Sequence, residues 1–131
     1  LDHTGSNFMI TWVCIDKIEN ELAGTIRFCS HDMEGYDEKF GNCWIAALYV
    51  KEKYRKQNIG KHLVQTVRQY KESKYIADDG KNKHIHLWFP SSKPYLLNFY
   101  QSSGFAVFND GLKFDKSSFG EDVIVMRECS S

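Results

Sequence analysis

The sequence predicts an α+β domain, in which a central mixed, mostly antiparallel β-sheet is flanked by two or more helices. Three observations predict it. Six short runs of β-branched, aromatic and other apolar residues, each bounded by polar or turn residues, have the composition of strands. Two other stretches carry apolar residues at helical spacing. The runs follow the order β-β-β-α-β-α-β-β, which suits a single layered domain. At 131 residues the chain has room for one core and not for two, so residues 1–131 are read as one domain.

The first run, "FMITWVCI" from Phe8, is followed by the turn residues of "DKIENE" and by "LAGTIRFCS", which together predict a hairpin. "HDMEGYDEKFGN", residues 31 to 42, is polar, acidic and glycine-bearing, and predicts a mobile loop. "CWIAALYV" is almost continuously apolar, as in a central strand covered on both faces. After Gly60, the residues Ile59, Leu63, Val67 and Tyr70 line one face of a helix. "ESKYIADDGKNK" reads as a surface connection and "HIHLWF" as a buried strand. In "SSKPYLLNFYQSSGF" the serines stand where an N-cap belongs and Pro94 falls in the first turn. Tyr95, Leu96, Phe99 and Tyr100 then share a face, and Gly104 closes the helix. "FAVFND" and "DVIVMREC" are the last strands, joined by the polar "GLKFDKSSFGE".

Composition narrows the function. Lys plus Arg and Asp plus Glu number 17 each, so the net charge is zero and no general nucleic-acid or membrane-surface partner is expected. Any anion site must be local. Cys14, Cys29, Cys43 and Cys129 are far apart without a CxxC pair, which predicts free thiols in a reduced compartment. No apolar run approaches membrane-spanning length, and Leu1 opens neither a signal nor a transit peptide. The expectation is a soluble intracellular protein, cytoplasmic or nuclear. The absence of an initiator Met predicts that a segment precedes Leu1.

One stretch carries a local anion signal. "YRKQNIGKHL", residues 54 to 63, puts two cations and a polar pair before a helix start. Free backbone N–H groups there, with the helix dipole, attract phosphate. A nucleotide-triphosphate loop is excluded, because no Gly lies five places before Gly60 and no hydroxyl follows Lys61. The dinucleotide fingerprint fails too, since Gly60 stands alone.

A third pattern fits. "LYVKEKYRKQNIGKHL" resembles the strand, loop and helix start of the GNAT N-acetyltransferase superfamily, whose motif [RQ]-x-x-G-x-[GA] follows an apolar strand. Arg55 takes its first position, Ile59 the variable one and Gly60 the last. "HLWFPSSKPYLLNFYQSSGF" resembles the second block of the family, a strand and a helix ending in Y-x-x-x-G-F, with Tyr100, Gly104 and Phe105 in register. The resemblance runs from about Phe8 to Arg127. It implies the acyl-CoA N-acyltransferase fold without its N-terminal strand and two following helices. Asn58 stands where the family has its first Gly; if that backbone is left-handed, Asn is the next best tolerated residue. Lys93 stands where the family often has an Asn that touches the pantetheine arm.

The resemblance implies acetyl-CoA as co-substrate, an amine acceptor that the sequence does not identify, and no metal. The pyrophosphate would lie on the amides of Lys56, Gln57, Asn58, Ile59, Gly60 and Lys61, with Arg55 and Lys56 as nearby charge. The pantetheine arm would run along Leu48, Tyr49 and Val50, whose backbone also holds the developing oxyanion. Tyr100 is the candidate acid for the departing thiolate; a core aromatic on the face of Leu96 and Phe99 is the plain alternative. No base is assigned. Trp44 occupies about the place of the strand Glu used by histone-type members. His31, Asp32 and Glu34 follow the second strand, and His84 and His86 share a strand face, two metal ligands without a third. The function implied is an acetyl-CoA-dependent N-acetyltransferase acting by direct attack of a primary amine on the thioester. The alternative is a non-catalytic acyl-CoA-binding or protein-interaction domain of the same fold.

Overall fold

Alternation of apolar and polar residues builds the first hairpin. A computed structural model describes residues 7–32, 40–76, 83–112 and 122–129, and begins with β1 (Met9–Asp16) and β2 (Glu21–Cys29), paired antiparallel. Trp12 and Cys14 of β1 point to the core, whereas Met9, Val13 and Ile15 point away from it. Asn20 takes a left-handed conformation in the turn, and the Asp16 carboxylate accepts the N–H groups of Ile18 and Glu19 at 2.9 and 3.2 Å.

The chain continues through β3 (Trp44–Val50), a three-residue 3-10 turn (Glu52–Tyr54) and α1 (Ile59–Lys74). Then come β4 (His86–Pro90), α2 (Tyr95–Ser102), β5 (Phe105–Leu112) and β6 (Val123–Glu128). The six strands form one sheet in the order β1-β2-β3-β4-β6-β5. Every neighbouring pair is antiparallel except β3 with β4, so the mixed, mostly antiparallel sheet is as expected. Among the described residues, no helix is long and apolar enough to cross a membrane.

The main core lies under the helices. Leu63, Val64 and Val67 of α1 and Tyr100 of α2 pack with Ile26, Phe28, Ile45, Leu87 and Met126 from the sheet. At about 25 cal/mol per Å² of apolar surface, each such side chain contributes roughly 1.5–3 kcal/mol. A smaller cluster, Cys29, Phe40, Trp44, Val123 and Val125, covers part of the other face. A buried ion network ties α1 to the end of β6. Glu128 accepts from Arg68 Nε at 2.7 Å, from Lys71 Nζ at 2.6 Å and from the Ile85 N–H at 3.3 Å. Gly104 ends α2 with φ +99°, a backbone conformation that calls for glycine, and a Cβ there would also displace the end of the Arg68 side chain.

The structure corrects several expectations. The cap of α2 is Pro94 in helical conformation without a side-chain cap bond, and the serines lie upstream; the fixed φ of proline sets the helix entry instead. Helix α1 runs through Lys74, so the connection begins at Tyr75 and not at Glu72. β3 is not covered on both faces: Trp44 and Ile45 are buried, but Tyr49 is exposed. His84 precedes β4 rather than belonging to it. The middle of the acidic loop with Glu34, residues 77–82 of the surface connection and residues 113–121 of the last connection lie outside the described residues.

Candidate active site

The site starts from an irregularity in β3. Thr25 pairs with Tyr49, but Arg27 pairs with Ala46, so β3 carries one residue more than β2 between these points. Ala47 takes up the extra residue with φ +53°, and the Thr25 hydroxyl donates to its carbonyl at 3.2 Å. Such a bulge bends its strand and increases the local twist. On the other side, β3 pairs with β4 at Trp44–His86, where the His86 N–H donates to the Cys43 carbonyl at 2.9 Å, and the strands part beyond it.

The parting leaves two connected hollows. A cavity of about 270 Å³ lies between the strands, lined by Asp32, Ala46, Ala47, Trp88 and others. It shares Leu48, Leu96 and Tyr100 with a groove of about 630 Å³ that leads to the start of α1. That groove is lined by Leu48, Tyr49 and Val50 of β3, by Arg55, Lys56, Asn58, Ile59, Gly60 and Lys61 of the loop and helix start, and by Tyr100. All ten are candidates named from the sequence. Gln57 and Lys93 are not part of the lining; Lys93 is exposed, and its N–H caps the Pro90 carbonyl at 3.0 Å.

The loop is shaped to present N–H groups. Lys56 and Asn58 both have left-handed conformations, φ +66° and +63°, with extended Arg55 before them. Alternating hands of this kind turn successive amides toward one concavity. Asn58 is the N-cap of α1, and its carbonyl accepts the first helical bond, from the His62 N–H at 3.0 Å. The N–H groups of Ile59, Gly60 and Lys61 therefore have no helical acceptor, and the helix dipole adds partial positive charge. Asn58 thus meets the left-handed demand that its place in the motif implied. The Arg55 side chain turns back, its Nε donating to the Val50 carbonyl at 2.8 Å, which ties the loop to the end of β3.

Four lining residues escaped the sequence reading: Tyr54, Tyr95, Leu96 and Phe99. Tyr54 is buried, and its hydroxyl donates to Asp16 Oδ2 at 2.6 Å and Glu21 Oε2 at 2.9 Å, pinning the 3-10 turn to both strands of the first hairpin. Lys51, at 2.5 Å, Lys53 and Tyr54 hold the Glu21 carboxyl down to about 2. Burial, followed by the two carboxylates, pushes the Tyr54 phenol well above its ordinary value. Phe99 faces the helix start, where a Cβ on Gly60 would lie 3.1 Å from its ring. The lone glycine of the loop thus lets α1 and α2 approach across the groove.

Tyr100 sits at the junction of the two hollows in an aromatic cage, stacked on Phe89 at 6.0 Å and edge-on to Phe99 and Phe105 at 5.0 and 6.1 Å. Burial pushes its phenol up to about 12, so it is protonated at neutral pH. Other candidates are placed elsewhere. Trp44 is fully buried and donates its indole N–H to the Gly41 carbonyl at 3.0 Å. His86 is buried among Phe40, Trp44 and Phe108, and its Nε2 accepts from Arg127 Nε at 2.9 Å. Burial, then the Arg127 charge, lowers its ring to about 4. The His31 ring shares a hydrogen bond with the Ser30 hydroxyl at 2.9 Å. Among the described residues, no three potential metal ligands come together.

The sequence pattern and this geometry meet in the comparisons. The family model of the acetyltransferase (GNAT) domain matches residues 8–107, 100 of the 131 residues, and the chain belongs to that family. No curated protein matches it in sequence. Solved structures share the fold. A Bacillus anthracis protein provisionally assigned as a streptothricin acetyltransferase, in complex with acetyl coenzyme A, is 20% identical with a TM-score of 0.66, over 94% of this chain and 63% of its own. A GNAT-family acetyltransferase from Staphylococcus aureus is 20% identical with a TM-score of 0.64, over 92% and 67%. The spermidine N-acetyltransferase of Vibrio cholerae, in complex with CoA and spermine, is 14% identical with a TM-score of 0.62, over 95% and 68%. The chain thus spans about two thirds of the length of the structures it resembles.

Proposed function

We propose that the chain is an acetyl-CoA-dependent N-acetyltransferase that moves the acetyl group to a primary amine by direct attack on the thioester. One observation carries this reading: a single groove joins a nest of unpaired helix-start amides to the open edge of β3 and ends at Tyr100. The donor set fits the co-substrate. Backbone N–H groups from Lys56 to Lys61 are fixed donors for a pyrophosphate and lose no rotamer entropy on binding it, with Lys56 and Lys61 beside them as cations. β3 beyond Ala47 offers Leu48 and Val50 to an extended amide-bearing arm, much as an added strand would pair. A backbone N–H of the same edge can donate to the carbonyl oxygen as it gains charge. That Tyr100 is protonated and lines both hollows supports it as the donor of a proton to the departing sulfur.

The test is a calorimetric titration with acetyl-CoA, with ATP and NAD as controls. Micromolar one-site binding of acetyl-CoA alone is expected. Equal binding of ATP would make the groove a general phosphate site, and no heat with acetyl-CoA would remove the co-substrate.

A further inference from the structure

Tyr54 joins the groove to the first hairpin. Its ring lines the groove just before Arg55, and its hydroxyl lies between two carboxylates, 2.6 Å from Asp16 Oδ2 and 2.9 Å from Glu21 Oε2. A phenol carries one hydrogen, so the two acceptors share it. Both stay ionised: the phenol holds the Asp16 carboxyl below its ordinary value, and Lys51, Lys53 and Tyr54 do the same for Glu21. Glu21 pairs with Lys51 Nζ at 2.5 Å and with Lys53 Nζ, so two ammonium groups balance the two carboxylates. The lysine side chains are half-exposed, where such pairs are weak, whereas Tyr54 is buried and its bonds are charge-assisted. The phenol is therefore the main link of this cluster.

The loop needs such a hold. Lys56 has φ +66° and Asn58 φ +63°, and a left-handed lysine persists only where its surroundings fix it. The chain before it is fixed twice. Backbone bonds close the turn, from the Tyr54 N–H to the Lys51 carbonyl at 2.8 Å and from the Arg55 N–H to the Glu52 carbonyl at 3.2 Å. The Tyr54 hydroxyl then ties that turn to both strands of the hairpin. We infer, resting on the acetyltransferase reading, that Tyr54 is a positioning residue for the co-substrate: its hydroxyl, shared by Asp16 and Glu21, fixes the loop in the shape that presents the amides of residues 56 to 61 to the pyrophosphate. Neither carboxylate lines the groove, so the hairpin sets acetyl-CoA affinity from outside it, through Tyr54. The hydroxyl takes no part in acetyl transfer, and its loss is felt in binding.

The experiment is calorimetry on the whole chain with two probes that carry the pyrophosphate: acetyl-CoA, and 3′-phosphoadenosine 5′-diphosphate, which lacks the pantetheine arm. Tyr54→Phe keeps the ring and removes the hydroxyl; Glu21→Gln keeps the size and removes the charge. Asp16 is left in place because it also caps the hairpin turn. Urea unfolding of each variant confirms that affinity is read on folded chain. Each variant should raise the Kd of both probes by the same factor, about tenfold, as expected for a lost bond to a charged group. The double variant should bind no more weakly than the weaker single one, since both break one clamp. A merely structural defect along β3 would weaken acetyl-CoA and spare the nucleotide probe. That result, or wild-type affinity in Tyr54→Phe, or two losses that add to about 100-fold, would overturn the inference while leaving the acetyl-CoA reading intact. Wild type that binds acetyl-CoA but not the nucleotide probe would do the same. Failure of wild type to bind acetyl-CoA overturns both.

Discussion

The two ends of β3 behave as different structures. At its start, Trp44 and Ile45 are almost wholly buried, the strand is joined to β4, and His86 is enclosed among Phe40, Trp44 and Phe108. Past Ala47 the same strand has lost its β4 partner, exposes Tyr49 and borders both hollows. Both ends are apolar in sequence, so hydrophobicity does not separate them. One extra residue marks the change: the bulge at Ala47 shifts the register against β2 beyond the Trp44–His86 pair that joins β3 to β4. The strand is thereby closed at one end and borders open space at the other.

The closed end should respond in stability. Trp44→Ala removes a fully buried side chain and should cost about 3–5 kcal/mol, read as a lower urea midpoint, since cavity and transfer terms add. His86 gives the same end a pH dependence. Its ring is lowered from 6.5 to about 4, so below pH 6.5 the unfolded chain binds a proton that the folded chain does not take up until about pH 4. This contribution is complete above pH 6.5 and is lost as pH falls across that window, by at most roughly 3 kcal/mol. Urea unfolding at pH 7 and pH 4.5 reads it, and His86→Gln should flatten that part of the curve.

The open end should respond in catalysis and binding. Tyr100→Phe should lower kcat about 100-fold with acetyl-CoA affinity near wild type, because only the proton is removed. Unchanged turnover would return Tyr100 to the role of a core aromatic. Ala47→Val puts a β-branched side chain at φ +53° and should cost about 1–3 kcal/mol in urea unfolding, with weaker acetyl-CoA binding as β3 shifts. Asn58→Gly should be the mildest, changing acetyl-CoA affinity less than about twofold, since both residues tolerate the left-handed conformation.

The fold was legible where one residue type carries one backbone demand. The hairpin turn, the amphipathic face of α1 and Gly104 at the end of α2 followed from local chemistry, while the left-handed place of Asn58 was implied only by its position in the family motif. The loop and strand residues of the groove were legible as a motif. The bulge was not, because alanine carries no signal for positive φ, and the run "CWIAALYV" reads the same whether a neighbour is present or absent. The part played by Tyr54 also depended on two carboxylates, Asp16 and Glu21, 38 and 33 residues away. The role of Phe99 depended on a close approach to Gly60 that no spacing reveals.

The central claim is that the helix-start nest and the open half of β3 form one acetyl-CoA site. Amide chemical shifts followed by NMR during an acetyl-CoA titration test it most directly. The expected result is one set of shifts at the Lys56–Lys61 and Leu48–Val50 amides, saturating together, with little change at Trp44 and Ile45. Shifts confined to one of these segments, or centred on the exposed face of β1, would contradict it.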